Sequence, residues 1–120
     1  MTSLRYVFDI DGTICSACPG NYTNALPYLD RIKKVNELYD EGHHITFFTS
    51  RGMTGTNGNV LLCYERYFEF TKKQLNDWGV KYHQLILGKP PAEFYIDDHA
   101  SNDIDFFEEN NEHHNSNYDV

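Results

Sequence analysis

The sequence contains no long apolar run. None of its hydrophobic stretches approaches the roughly 20 residues that a membrane-spanning helix requires. The first residues, Met-Thr-Ser-Leu-Arg, lead directly into the first predicted strand and lack the architecture of a signal peptide. These two absences predict a cytoplasmic chain that contacts no membrane and keeps its thiols reduced.

Positive charge is also scarce. The 120 residues include 10 lysines and arginines against 18 aspartates and glutamates, which gives a net charge of −8. A long nucleic-acid backbone is therefore an unfavourable partner, because neutralising its phosphates requires an excess of basic side chains. A small phosphate ester remains compatible with this charge if a divalent cation and a few local basic groups offset it. The hydrophobic share of 40% is sufficient for the core of one domain.

Cysteine is limited to three residues, of which Cys15 and Cys18 form a C-x-x-C pair. Such a pair is typical of a redox site or of half a zinc site. A redox pair usually opens a helix, whereas Pro19 and Gly20 directly after Cys18 favour a turn. No second C-x-x-C follows that would complete a zinc site. We expect ordinary loop thiols, with a zinc or redox role as the alternative.

The hydrophobic pattern alternates between strands and helices. Strands are predicted at 4–10, 45–49, 82–87 and 94–96, and helices at 26–40, 60–78 and 102–109. This alternation predicts an α/β protein with a parallel, doubly wound sheet and right-handed crossovers. We expect one domain over residues 1–109 and a frayed polar tail over 110–120.

Polar side chains follow each predicted strand, and in such a sheet they meet at the edge where ligands bind. In chain order these residues are Asp9 and Asp11, then Thr49, Ser50 and Arg51, then Lys89, then Asp97 and Asp98. Each has an ordinary explanation taken alone, such as a solvated strand end or a turn. Their joint appearance in this order favours one functional site.

These residues resemble the four motifs of the haloacid dehalogenase superfamily of phosphohydrolases. The matching segments are F-D-I-D-G-T at 8–13, T-S-R at 49–51, Lys89, and I-D-D at 96–98. The resemblance covers nearly the whole chain. It implies a three-layer, Rossmann-like sheet of about four strands in the order 3-2-1-4, with no cap domain.

The resemblance also implies roles for the matching residues. Asp9 is the expected nucleophile, which forms an aspartyl-phosphate, and Asp11 the general acid and base. Thr49 and Lys89 are expected to bind the phosphoryl group. Mg²⁺ is the expected cofactor, held by Asp9, the backbone carbonyl of Asp11 and Asp97, with Asp98 binding through water or orienting the other ligands.

The substrate-binding set includes Ser50 and Arg51 beside Thr49 and Lys89. Arg51 lies one step outside the motif, where its guanidinium can grip a phosphate or substrate hydroxyls in a fork. The alternative is a solvated loop arginine. The sequence leaves both interpretations open.

In the superfamily that this chain resembles, cap domains are inserted at two positions. Here the first position, 15–24, holds only a short flap, and the second, between the third strand and Lys89, has no room for a cap. We therefore expect an open site. A neighbouring subunit that covers the site, in a homo-oligomer, or a large substrate fits such a site. The second helix favours the former, since its apolar residues exceed one stripe. They are Leu61, Leu62, Cys63, Tyr64, Tyr67, Phe68 and Phe70. The alternative is a helix simply well buried in a small core.

Two substrate classes and one different function remain open on the sequence alone. T-S-R-G after the second strand is similar to small proteins of capsule biosynthesis, which implies a sugar phosphate of cell-surface polysaccharide synthesis. The first alternative is a nucleotide or polynucleotide end. The second is a phospho-accepting receiver module, which shares the Lys89-Pro90 pair but places its acidic pair first and its lysine last. The net charge favours the sugar phosphate.

Overall fold

The computed structural model describes residues 2–108 and contains a parallel sheet with helices, as the sequence predicts. Its strands are β1 (Arg5–Phe8), β2 (His44–Thr49) and β3 (Gln84–Leu87). Its α-helices are α1 (Leu29–Asp40), α2 (Val60–Asp77) and α3 (Asp103–Glu108), and a short 3₁₀ turn, Tyr22–Asn24, precedes α1. The predicted tail at 110–120 lies outside the described residues.

The three strands run parallel in the order β1-β2-β3. Phe8 of β1 lies opposite Phe47 of β2, which in turn lies opposite Leu85 of β3. The carboxyl ends of all three strands therefore share one edge, which we call the carboxyl edge. Among the described residues, β1 and β3 are the two outer strands of the sheet.

The core consists of apolar side chains from the strands together with one face of each long helix. Phe8 packs against two rings of α3, with centroid distances of 5.6 Å to Phe106 and 5.9 Å to Phe107. These contacts fix α3 over β1. The fully buried apolar side chains are Ile10, Ile14, Cys15, Val35, Ile45, Phe47, Cys63 and Leu75.

Helix α1 begins later than the periodicity predicts. Pro27 disfavours helical backbone at the residue before it, so Leu26 cannot join the helix, which begins at Leu29. Leu26 and Leu29 are exposed, whereas the later members of the predicted stripe are buried. Those buried members are Ile32, Val35 and Leu38.

The predicted fourth strand at 94–96 is not formed, and this prediction of order 3-2-1-4 is not realised in the described chain. Phe94 and Ile96 lie in irregular backbone and are 80% and 91% exposed. The physical reason is the connection that precedes them. A parallel crossover takes about a dozen residues or more, usually a helix. Only residues 88–93 separate β3 from Phe94, and Pro90 and Pro91 exclude a helix there.

Helix α2 is neither wholly buried nor wholly exposed. Cys63 and Leu75 are buried and Tyr64 packs against the core, but Leu61 is 82% exposed. The core therefore buries only some of the apolar residues of this helix. Within residues 2–108, no helix is long and apolar enough to cross a membrane.

Candidate active site

Asp9 lies just beyond the end of β1, at the carboxyl edge. Its Oδ1 accepts a hydrogen bond of 2.7 Å from the backbone N–H of Ile10. Its Oδ2 lies 3.0 Å from Nζ of Lys89, and the two side chains are 31% and 16% exposed. The site thus presents a solvent-accessible carboxylate with a cation directly beside it, as expected from the sequence.

The turn after β3 holds Lys89 in this position. Gly88 has a φ of +97°, a backbone conformation that favours glycine, and a Cβ there would lie 3.0 Å from a methyl group of Val60. The backbone N–H of Lys89 donates a hydrogen bond of 3.1 Å to the carbonyl of Thr49. The turn is therefore fastened to the end of β2, and the ammonium group reaches Asp9.

Asp11 is held by Arg51 in a two-pronged ion pair. Nε and one terminal nitrogen of Arg51 each donate to a different oxygen of Asp11, both at 2.9 Å. The remaining terminal nitrogen donates to Oγ1 of Thr71 at 3.2 Å, and the guanidinium lies over the ring of Tyr22 at 4.7 Å. Arg51 is only 1% exposed. The interpretation of Arg51 as a solvated loop residue is wrong.

The burial of Arg51 also limits its predicted role in gripping substrate. All three guanidinium nitrogens donate to side chains of the protein. In this arrangement Arg51 has no exposed surface with which to bind a phosphate. It orients the Asp11 carboxylate instead.

Tyr22 fastens the flap between β1 and α1 to the loop after β2. Its hydroxyl accepts a hydrogen bond of 2.9 Å from the backbone N–H of Gly52. Its ring meets that of Tyr67 edge-on at 5.2 Å, and its carbonyl accepts a 2.8 Å hydrogen bond from the Gln74 amide. The flap, although short, is anchored to α2 and closes over Arg51.

Thr49 and Ser50 lie at the end of β2, as predicted. Thr49 is fully buried, and its Oγ1 accepts a hydrogen bond of 3.1 Å from the backbone N–H of Arg51. Ser50 is half-buried, and its carbonyl accepts from the backbone N–H of Met53 at 2.9 Å. The Thr49 hydroxyl therefore shapes the turn that aims Arg51 at Asp11.

Cys15 is a fully buried thiol next to Asp11. Its Sγ is 3.6 Å from Oδ1 of Asp11 and 3.7 Å from the carbonyl of Ile10. Burial, reinforced by the negative charge of Asp11, raises the pKa of the Cys15 thiol to about 12. Cys18 is half-buried, and both cysteines are free thiols. Cys15 remains protonated at neutral pH, where it can donate to Asp11.

Asp97 and Asp98 are not brought to the carboxyl edge. Asp97 accepts a 2.9 Å hydrogen bond from the backbone N–H of His99, which lowers the pKa of its carboxyl group. Asp98 lies 3.5 Å from the His99 imidazole and is exposed. Across residues 2–108, no three His, Cys, Asp or Glu side chains form a group that could hold a metal ion. Asp97 and Asp98 therefore do not join Asp9 and Asp11 in one such group, and the Mg²⁺ site stays a prediction.

Sequence reasoning missed the residues that support Arg51. Tyr22, Thr71 and Cys15 contact Arg51 or Asp11 from the flap and from α2. Tyr22 and Thr71 belong to no recognisable motif, and the C-x-x-C pair that contains Cys15 does not indicate a contact with Asp11. The one signal was indirect: a site arginine that becomes buried needs partners, and these have to come from segments that close over it.

The chain matches no protein-family model and no curated protein. It is similar to a solved crystal structure from Vibrio cholerae, described as an MCSG target, with 31% sequence identity and a TM-score of 0.81. The match covers 93% of this chain and 94% of the Vibrio chain. The α/β fold is therefore shared over nearly the whole length, and this chain belongs to the same family as the Vibrio protein. The description of that protein specifies no activity or ligand.

Proposed function

We propose that this protein is a phosphomonoester hydrolase of the haloacid dehalogenase type, with Asp9 as its nucleophile. The observation that carries the proposal is the Asp9–Lys89 pair at the carboxyl edge, 3.0 Å apart and open to solvent. A nucleophilic carboxylate must be reachable, and a neighbouring cation offsets the charge of an approaching phosphate. Asp11, two residues further on, is already oriented by Arg51.

The reaction takes place in two displacements. An Asp9 oxygen attacks phosphorus, the bond to the leaving oxygen breaks, and protonated Asp11 gives its proton to the departing alcohol. In the second displacement, Asp11 takes a proton from water, and the water oxygen attacks the same phosphorus. The bond between Asp9 and phosphorus then breaks, which releases inorganic phosphate and restores both carboxyl groups.

Asp11 has to change partners during this cycle. Both of its oxygens accept from Arg51, so one must be released before Asp11 can reach a leaving group. Arg51 is therefore a positioning residue. It orients the Asp11 carboxylate before the reaction and binds both of its oxygens again afterwards. The Cys15 thiol, protonated and 3.6 Å away, is a second donor to the same carboxylate.

Magnesium fits this proposal only in part. When bound, Mg²⁺ would neutralise charge on the phosphoryl oxygens. Its donors would be Asp9, the Asp11 carbonyl and Asp97, with Asp98 binding through water, and residues 2–108 do not gather three of these acidic side chains into one group. The steps described above are therefore those of the side chains alone.

For the substrate we propose a sugar phosphate of cell-surface polysaccharide synthesis. The net charge of −8 disfavours long nucleic acids, which supports a small phosphorylated substrate. A screen of phosphate release with Mg²⁺ over hexose and heptose phosphates, nucleotides and a 3′-phosphorylated oligonucleotide tests this assignment. Faster turnover of the oligonucleotide than of the sugar phosphates would reverse it. One phosphorylation per chain without turnover would indicate a receiver module.

The nucleophile is tested by Asp9→Asn. We expect loss of phosphate release by a factor of about 10³ or more, because an amide cannot form the intermediate. The matched control is Asp77→Asn, which breaks another aspartate–lysine pair, 2.8 Å long and exposed on α2. The control should keep wild-type turnover. Asp9→Asn activity within tenfold of wild type would contradict the assignment.

A further inference from the structure

The segment 94–98 leaves an unusual amount of apolar surface in solvent. We call this segment, from Phe94 to Asp98, the DD segment after the two adjacent aspartates at its end. Phe94 and Ile96 are 80% and 91% exposed, and Tyr95 between them is about half exposed. Single exposed apolar residues are normal on a folded protein. Several consecutive ones, as at 94–96, are typical of a surface that another element covers.

The outer side of β1 is open in the same structure. Strand β1 lies at the end of the sheet, and its only strand partner among residues 2–108 is β2. Val7, in the middle of the strand, is 66% exposed. An edge strand presents a row of backbone N–H and C=O groups to which a further strand can add. The described chain thus has both an unpaired strand sequence and an unpaired sheet edge.

The DD segment cannot reach the outer edge of its own β1 as a parallel strand. Lys89 is fixed at the carboxyl edge by its bonds to Thr49 and Asp9, which leaves only residues 90–93 before Phe94. The five Cα–Cα steps from Lys89 to Phe94 span about 17 Å when fully extended. The start of a parallel fourth strand would lie about 10 Å to the side and a further 13 Å or so back along the sheet. The straight line, about 16 Å long, runs through β1 itself, and a path around the strand is longer than this reach.

The connection instead holds Tyr95 against its own turn and leaves its neighbours without a partner in the sheet. The Tyr95 hydroxyl is hydrogen-bonded to both the carbonyl of Pro90 and the backbone N–H of Ala92, and its ring lies 4.3 Å from Nζ of Lys89. Tyr95 is thus tied to the turn, while the side chains of Phe94 and Ile96 remain in solvent.

We propose that copies of this chain exchange their DD segments. Each segment adds as a fourth, parallel strand to the outer edge of β1 in another copy, where Phe94 and Ile96 become buried. Parallel pairing places Asp97 and Asp98 at the carboxyl edge of that copy, beside its Asp9. The occupant of the open β1 edge is therefore a second copy, and reciprocal exchange closes the assembly as a dimer.

This exchange accounts for the incomplete donor set of the single chain. The carboxylates of Asp97 and Asp98 would join Asp9 and Asp11 from the neighbouring copy, so each site is shared between two chains. The strand exchange itself does not depend on the proposed phosphatase activity. Its consequence for the site rests on that proposed function.

The assembly is tested first, by native mass spectrometry and light scattering. The wild-type chain should be oligomeric, and Ile96→Asp should convert it to a monomer with an unchanged circular dichroism spectrum, because Ile96 makes no core contact within its own chain. The matched control is Leu61→Asp on α2, where Leu61 is 82% exposed against 91% for Ile96, and this variant should remain oligomeric. A monomeric wild type, or dissociation by Leu61→Asp but not by Ile96→Asp, would overturn the exchange.

The shared site is tested by complementation. Asp9→Asn and Asp97→Asn chains, each expected to be inactive alone, are unfolded together and refolded as a mixture. Exchange restores complete sites in mixed oligomers, so phosphate release should return to about one quarter of the wild-type rate. Mixed oligomers without activity would show that Asp97 does not complete a neighbouring site. If the wild type releases no phosphate at all, the proposed function fails while the Ile96→Asp result still decides the exchange.

Discussion

The two acidic parts of the candidate site are built in opposite ways. Around Asp11, the partners come from the flap, the loop after β2 and α2, and they bury Arg51 almost completely. Around Asp97, the neighbours are a backbone N–H and an exposed histidine. We call the first region the inner cluster, and it comprises Asp11, Cys15, Tyr22, Arg51 and Thr71.

The difference indicates that the inner cluster serves folding in addition to the proposed chemistry, whereas the carboxylates of the DD segment serve only the proposed assembly and activity. A buried cation is tolerated only where the fold supplies its counter-charge, so the inner cluster is part of what stabilises the single chain. The carboxylates of the DD segment are solvated and contribute no comparable stabilisation. Substitutions in the two regions should therefore separate loss of stability from loss of activity.

The largest expected effect on stability follows from Asp11→Ala. Removing this carboxylate leaves Arg51 buried without its counter-charge, which should lower the free energy of unfolding by about 3–5 kcal/mol. Asp98→Ala, in the DD segment, should leave the denaturation midpoint of the chain unchanged at matched oligomeric state. Urea denaturation followed by circular dichroism measures both.

A double substitution sharpens this first prediction. Arg51→Met removes the buried charge itself, so adding it to Asp11→Ala should recover part of the lost stability rather than lower it further. Strictly additive losses would mean that the two side chains are not energetically coupled, despite the two 2.9 Å hydrogen bonds between them.

The sequence predicted the parts of this molecule that depend on short-range pattern. Strands β1, β2 and β3 and the two long helices follow from hydrophobic periodicity, and their ends differ from the predicted ones by only a few residues. The pairing of Asp9 with Lys89 could also be predicted, because the carboxyl ends of parallel strands share one edge.

Two features could not be predicted in the same way, for different reasons. The predicted strand at 94–96 does not form, because a strand there depends on the length of the 88–93 connection. The composition of residues 94–96 does not reveal that length. The environment of Arg51 depends on Tyr22 and Thr71, which are distant in sequence and carry no motif. The length of a connection decided the first, and contacts between distant segments decided the second.

The next largest effect tests how tightly the loop after β2 is packed against the inner cluster. Gly52 has a φ of +82°, and a Cβ there would lie 2.6 and 2.8 Å from ring carbons of Tyr67. Gly52→Ala should cost about 1–3 kcal/mol of stability through backbone strain and overlap. Gly55→Ala in the same loop is the control, because a Cβ there meets nothing within 4 Å. Equal thermal midpoints for the two variants would show that the loop can shift away from the Tyr67 ring at little cost.

The smallest expected effect is a difference in alkylation rate between Cys15, which belongs to the inner cluster, and Cys18, which lies outside it. The pKa of Cys15 is raised to about 12 by burial and by Asp11, so its thiolate is scarce at pH 8, whereas Cys18 is only half-buried. Brief treatment of the folded protein with iodoacetamide at pH 8 should modify Cys18 first, which peptide mass mapping would locate. The unfolded chain ionises Cys15 near pH 9 while the folded chain does not. Stability from the protonated thiol is therefore complete below pH 9 and declines as the pH rises from about 9 to about 12. Early alkylation of Cys15 would show that the inner cluster opens readily, and the contrast between the two regions would then fail.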